Sequence, residues 1–242
     1  MKSASSAAAV TVESWGMTRR GHACHENQDA FLNWPERLLW GVADGVGGTG
    51  NGASASRLLV QYLMRTPAPP SLDAHVENVT RLLARSNREL RQDGLGDAAS
   101  TVVVLLIHSG GAACVWSGDS RCYLLRESTL YQCTRDHTAR QRMIERDELT
   151  HHEAERMVRG NVVTNAVGVR DTLRLETTRL SLRRGDRFLL CSDGLSDSVS
   201  SEALVAHLGR SRARDAALGI AETLDGKEHP DDATFVTVFL SG

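Results

Sequence analysis

Short apolar runs recur along the chain and predict strands at Ala30–Trp34, Leu38–Ala43, Thr101–Ile107, Ala112–Ser117, Arg121–Leu125, Arg187–Cys191 and Ala233–Leu240. The last alternates, with Phe235, Thr237 and Phe239 facing one way and Val236, Val238 and Leu240 the other. Gly110-Gly111, between two such runs, predicts a hairpin turn. Helical spacing governs Ala53–Arg65, and an apolar stripe through Leu72, Val76, Val79, Leu83 and Leu90 marks a second helix with Ser71 as its N-cap. Pro67, Pro69 and Pro70 separate the two. Later helices are expected over Ser201–Leu208 and Arg212–Leu224. Grouped strands, a helical pair, more strands and further helices predict an α+β fold with antiparallel sheets.

Thr134–Arg159 breaks the pattern, being rich in charge and histidine with few apolar anchors beyond Met143, Ile144 and Met157. It reads as one or two short surface helices, a solvated excursion or a flap. Residues 1–10 read as a flexible leader and 11–242 as one domain. A net charge of −2 provides no broad basic face for nucleic acid, and no apolar run reaches the ~20 residues that cross a bilayer. Five cysteines without CxxC spacing, several in apolar runs, point to reduced thiols and a cytoplasmic setting.

The candidate chemistry lies in carboxylates at strand ends. Asp44 ends an apolar run in Ala43-Asp44-Gly45-Val46-Gly47-Gly48, Asp193 ends another in Cys191-Ser192-Asp193-Gly194, Asp119 sits in Gly118-Asp119-Ser120, Asp231 precedes a strand, and Asp29 lies in Asn27-Gln28-Asp29-Ala30. Gathered together, such groups repel unless a hard cation neutralises them, and Mg²⁺ or Mn²⁺ prefers oxygen ligands. Singly, each Asp-Gly also fits a turn. Gly45–Gly50 matches GxGxxG, yet the expected second strand and acid about 20 residues on are replaced by Arg65-Thr66-Pro67-Ala68-Pro69-Pro70, so a dinucleotide site is disfavoured. The histidines have no zinc-helix spacing, and His22 and His25 read as loop residues near Asp29. An apolar flank argues against Cys191 as a nucleophile.

In order, Asn27-Gln28-Asp29-Ala30, Ala43–Gly48, Ser100-Thr101-Val102-Val103, Gly118-Asp119-Ser120-Arg121, Arg135-Asp136-His137-Thr138, Asn165-Ala166-Val167-Gly168, Cys191–Asp197 and Asp231-Asp232-Ala233-Thr234 resemble the metal-dependent protein phosphatases of the 2C type. The compact form resembles the bacterial branch, and within it the phosphatases encoded with type VI secretion systems. The resemblance implies a four-layer α-β-β-α sandwich of two antiparallel sheets flanked by helices, holding two Mn²⁺ or Mg²⁺ ions. By motif position Asp44 would bridge both ions, the Gly45 carbonyl would bind one, Asp193 and Asp231 would hold the other, and Asp29 would act directly or through water. Asp119 with Asp193 matches a third, weaker site. A hydroxide shared by the ions would attack a phosphoserine or phosphothreonine ester in line, with the family's flap falling on Thr134–Arg159.

Two departures stand out. The family's phosphate-clamping arginine is replaced by Cys24, leaving Arg20, or Arg19, as its substitute, and a histidine of some members is replaced by Val46, leaving no named general acid. The motif selects Asp231 over Asp232 as ligand. The expected partners are a phosphorylated Ser/Thr protein and the kinase pathway that loads it, with the chain a monomer. The rival reading is a catalytically impaired phosphoprotein-binding module on the same fold.

Overall fold

The computed structural model describes residues 11–46, 51–92, 98–147, 149, 150, 153, 157, 162–227 and 229–241. The leader, Gly47–Gly50 of the GxGxxG run, and His151 and His152 lie outside the described residues. The strands are β1 (Thr11–Arg19), β2 (Asp29–Trp34), β3 (Leu39–Val46), β4 (Ala99–Ser100), β5 (Val102–His108), β6 (Gly111–Ser117), β7 (Arg121–Arg126), β8 (Thr129–Gln132), β9 (Glu176–Ser181), β10 (Arg187–Cys191) and β11 (Ala233–Ser241). The helices are α1 (Gly52–Leu63), α2 (Leu72–Gln92), α3 (Ala139–Asp147), α4 (Asp193–Ser198), α5 (Ser201–Leu208) and α6 (Ala213–Asp225).

Two antiparallel sheets result. One runs β1-β11-β10-β7-β8 and the other β2-β3-β5-β6-β9, with β4 paired to β3. The central strands are apolar throughout because both faces are buried, and alternation sorts each strand into two cores. In β5, Val103, Leu105 and Ile107 enter the core between the sheets, while Val102, Val104 and Leu106 pack beneath α1 and α2. In β11, Val236, Val238 and Leu240 join the core between the sheets, while Phe235 and Phe239 pack under α5 and α6. Three stacked cores make the four expected layers, helix, sheet, sheet, helix.

Local chemistry sets the boundaries. The Ser71 hydroxyl accepts from the Ala74 N–H at 3.1 Å, capping α2, and Ser109 and Gly110 take positive φ in the hairpin between β5 and β6. Leu38 adopts φ 50° after a 3₁₀ turn at Pro35–Arg37, so β3 begins one residue later than the apolar run. Strand β3 then continues through Asp44 and Gly45, which pair with Asp29 and Ser100, so this Asp-Gly is extended backbone and not a turn. Strands β1, β8 and β9 escape the apolar pattern because each lies at a sheet edge and pairs on one side. Among the described residues, no helix is long and apolar enough to cross a membrane.

Asp232, which is buried, ties down the end of the sandwich where these strands converge. Its Oδ1 accepts from the Gly21 N–H at 2.8 Å and its Oδ2 from the Gln28 N–H at 2.7 Å, holding the β1–β2 connection against the start of β11.

Replacing Asp232 with Ala leaves both amides without that acceptor and is expected to cost about 3 kcal/mol or more in urea unfolding. Phe235→Ala, a cavity under α5 and α6, is expected to cost about 3–5 kcal/mol in the same measurement. Losses below about 1 kcal/mol would contradict these assignments.

Candidate metal centre

Asp44 and Asp29 stand opposite one another on adjacent antiparallel strands, so their side chains share one face of the sheet. Asp193 begins α4 directly after β10 on the other sheet, and Asp119 lies in the turn from β6 to β7. The ligand oxygens of Asp44, Asp119 and Asp193 lie within 4.8 Å of one another. Asp231, just before β11, is exposed. It shares with Asp44, Gly45 and Asp193 a cavity of about 290 Å³ that also touches Cys24, Val46 and Val163. Asp29 stands behind it, its Oδ2 accepting from the Ser192 hydroxyl at 2.7 Å, a bond that stitches the two sheets together.

The glycines permit this approach. A Cβ on Gly45 would run into the Gly52 backbone, and one on Gly194 would strike the Asp232 carbonyl. The Gly45 N–H donates to the Gln28 carbonyl at 3.1 Å, which also accepts from the Ser56 hydroxyl at 2.6 Å.

The electrostatics are those of acids crowded out of water. Burial, followed by the charges of Asp29, Asp193 and Asp119, raises Asp44 well above the usual carboxylate range. Burial chiefly lifts Asp119 to about 8, with Asp193 next. Asp29 reaches about 8 for the same first reason, against the opposing Ser192 bond. Asp193 is raised by burial and then by Asp231. Its Oδ1 is buried with no hydrogen-bond partner among the described residues. A converging all-oxygen donor set with a buried unsatisfied oxygen fits a hard divalent cation.

Each oxygen of Asp232 accepts one backbone amide, so the exposed Asp231 is the more available of the adjacent pair, although Asp232 also lines the cavity and lies with Asp231 and Cys24 in a second group of closely spaced potential ligands. Cys24 sits beside them, its Sγ 3.8 Å from Asp231 Oδ1, and burial with the two aspartates lifts its thiol to about 11. Arg20 is exposed and donates to the His25 carbonyl at 3.3 Å, outside the cavity lining. Arg19 turns to Asp225 at 3.1 Å. His22 packs on His229, ring centroids 5.0 Å apart, in a loop role.

The charged stretch differs from a solvated excursion at its start. Arg121 grips Asp136 through Nε and Nη2. His137 is buried, its Nδ1 accepting from the Gly118 N–H at 3.1 Å and its ring stacked on Trp116. Thr138 then caps α3 and bridges Val163, which lines the cavity. Sequence reading named Asp232 as the residue beside the ligand and quoted Ser192 and Arg135–Thr138 within motifs, but it missed their tethering roles, since each acts through partners remote in the chain.

The sequence profile of the protein phosphatase 2C family matches residues 18–223. The serine/threonine protein phosphatase PstP of Mycobacterium tuberculosis is 32% identical over 225 residues, covering 90% of this chain and 43% of PstP, so the chain spans less than half of that relative. Protein phosphatase PhpP of Streptococcus pneumoniae is 30% identical over 199 residues, covering 78% of this chain and 80% of PhpP. Among solved structures, PppA, described as a key regulatory component of T6SS in Pseudomonas aeruginosa, superposes with TM-score 0.86 at 34% identity, covering 96% of this chain and 99% of PppA. The catalytic domain of PstP in complex with 2 manganese ions superposes with TM-score 0.83 at 28% identity, covering 96% and 100%. With the profile matching most of the chain and a relative 32% identical over 90% of it, the chain belongs to the protein phosphatase 2C family.

Proposed function

We propose that this chain hydrolyses phosphoserine and phosphothreonine esters in proteins, using two Mn²⁺ or Mg²⁺ ions held by its aspartates. The observation that carries the reading is the convergence of Asp44, Asp193 and Asp231 on one cavity from three distant segments. Asp44 and the Gly45 carbonyl would hold the ions. Asp193 and Asp231 would complete the cluster, Asp29 would support it from behind, and Asp119 would offer a third, weaker position. Ions bound there supply Lewis acidity, lowering the pKa of water and offsetting charge on the phosphoryl oxygens.

The protein's own contribution is orientation. Ser192 fixes Asp29, Asp232 fixes the strand ends, and Gly45 and Gly194 let backbone close around the cavity. Arg20, the nearer of two arginines preceding the Cys24 loop, is assigned to the substrate phosphate. It would leave the His25 carbonyl to do so. Likeness to PppA supports a type VI secretion setting, and the family resemblance supports a place opposite a Ser/Thr kinase, with the chain acting in the cytoplasm as a monomer.

Phosphate release from a phosphothreonine peptide is expected to stop with EDTA and return with Mn²⁺. Asp44→Asn should lower kcat by more than ~100-fold, since disturbing only an outer-sphere partner costs about 10–100-fold. Turnover that ignores EDTA would remove the proposal. Arg20→Ala should raise KM with little change in kcat, and an unaltered KM would move the clamp elsewhere.

A second expectation concerns pH. With ions stripped, the folded chain keeps protons on Asp29 and Asp119 up to about pH 8, whereas the unfolded chain releases them near about pH 4. Stability of the stripped protein should therefore fall as pH rises between those values. Added Mn²⁺ displaces the protons, so its gain in Tm should be larger at about pH 8 than at about pH 5.5. Equal gains at both would contradict the aspartate ligand set.

A further inference from the structure

Away from the aspartates, three thiols form a chain from the surface into the centre of the sandwich. Cys133 is half-buried and contributes to the lining of a cavity of about 390 Å³ formed with Leu124, Tyr131 and Leu180. Cys122, fully buried on β7, lies between Cys133 and Cys114 in the chain of thiols, its Sγ 4.0 Å from the Tyr123 carbonyl and Cys133 Sγ 4.0 Å from the Tyr131 carbonyl. Cys114 lies on β6 of the opposite sheet, also fully buried.

The register singles out one pair. Strand β7 pairs with β8 with Tyr123 opposite Gln132, so the next position sets Cys122 opposite Cys133. The Cys133 N–H donates to the Cys122 carbonyl at 2.7 Å, which holds the two backbones in ladder contact. Directly opposed residues on antiparallel strands have Cα atoms about 4.5–5.5 Å apart, within the ~4.4–6.8 Å a disulfide spans, and their side chains share a face. Leu124 and Cys122 both enter the core between the sheets, and Cys133 packs against the same core.

We propose that Cys122 and Cys133 are a dithiol site that closes to a disulfide on reaction with a low-molecular-weight disulfide. Cys133, reached through the cavity, attacks one sulfur of the reagent. A Cys133 mixed disulfide forms, the reagent's S–S bond breaks, and one thiolate leaves to take up the proton Cys133 lost. Cys122 then attacks the Cys133 sulfur, expelling the second thiolate, which takes the Cys122 proton. Two electrons pass to the reagent, which ends as two thiols. The neighbouring Cys122 thiol and burial raise the Cys133 thiol, and the Cys114 thiol and burial raise Cys122, so the exchange is slow. The crosslink would fasten β7 to the turn carrying Thr134, whose Oγ1 accepts from the Cys122 N–H at 3.2 Å, and Asp136, held by Arg121.

The test is incubation of the folded, full chain with oxidised glutathione, quenching by alkylation, and peptide mapping by mass spectrometry. The expected result is one crosslinked peptide pair containing Cys122 and Cys133, two hydrogens lighter than the reduced pair. Cys122→Ser should arrest the reaction at a glutathione adduct on Cys133, and Cys133→Ser should leave Cys122 alkylatable only after unfolding. The wild-type map needs no variant to fold. A stable Cys133 adduct without crosslink in the wild type, a bridge from Cys122 to Cys114, or reaction at Cys24 alone would overturn the proposal.

Discussion

Burial of several carboxylates close together, with their mutual repulsion second, is the constraint around which one end of this sandwich is organised. Asp29, Asp44, Asp119 and Asp193 are all held above the ordinary carboxylate range, with burial the largest cause in each case. A fold that gathers such groups gives up stability locally and must recover it elsewhere or through a cation. The recovery is visible in three stacked cores, with most apolar residues of the central strands fully buried.

Holding the acids in place falls mainly to Ser192 and to Asp232, the neighbour that the motif passes over as ligand. Ser192 spans the two sheets, accepting from the Thr234 N–H at 2.9 Å through Oγ while its hydroxyl donates to Asp29. Asp232 spends both oxygens on backbone amides of the β1–β2 loop. This division of labour between adjacent aspartates follows from burial. The buried Asp232 needs partners for its oxygens, whereas the exposed Asp231 has its Oδ1 near the Asp232 N–H and the cavity before it. The start of the charged stretch is held on the same terms, with the bidentate Arg121–Asp136 pair and the buried His137 leading into Thr138, which bridges the cavity-lining Val163.

Much of this was legible in the chain. Strands β5, β6, β10 and β11 were readable because burial on both faces demands nearly continuous apolar residues, and α1 and α2 because one face of each is apolar. The aspartates at strand ends were readable as a set because several lie where an apolar run meets a small flexible residue. Edge strands β1, β8 and β9 were not, since pairing on one side relaxes the demand for apolar residues at both faces. The Asp44-Gly45 pair shows how local chemistry can mislead. Its turn-like composition serves an extended strand, where glycine is needed for close approach to Gly52.

The order of residue types along the chain, by itself, determined the class of fold, the helical pairs and which acids were candidates, because those depend on periodicity and on spacing within short segments. Only the tertiary structure decided that Asp29 faces Asp44, that Asp232 is tied and Asp231 open, and that Cys122 lies opposite Cys133. Each of those is a contact between segments brought together by sheet register, and register is settled by packing of whole strands rather than by any residue's own preference.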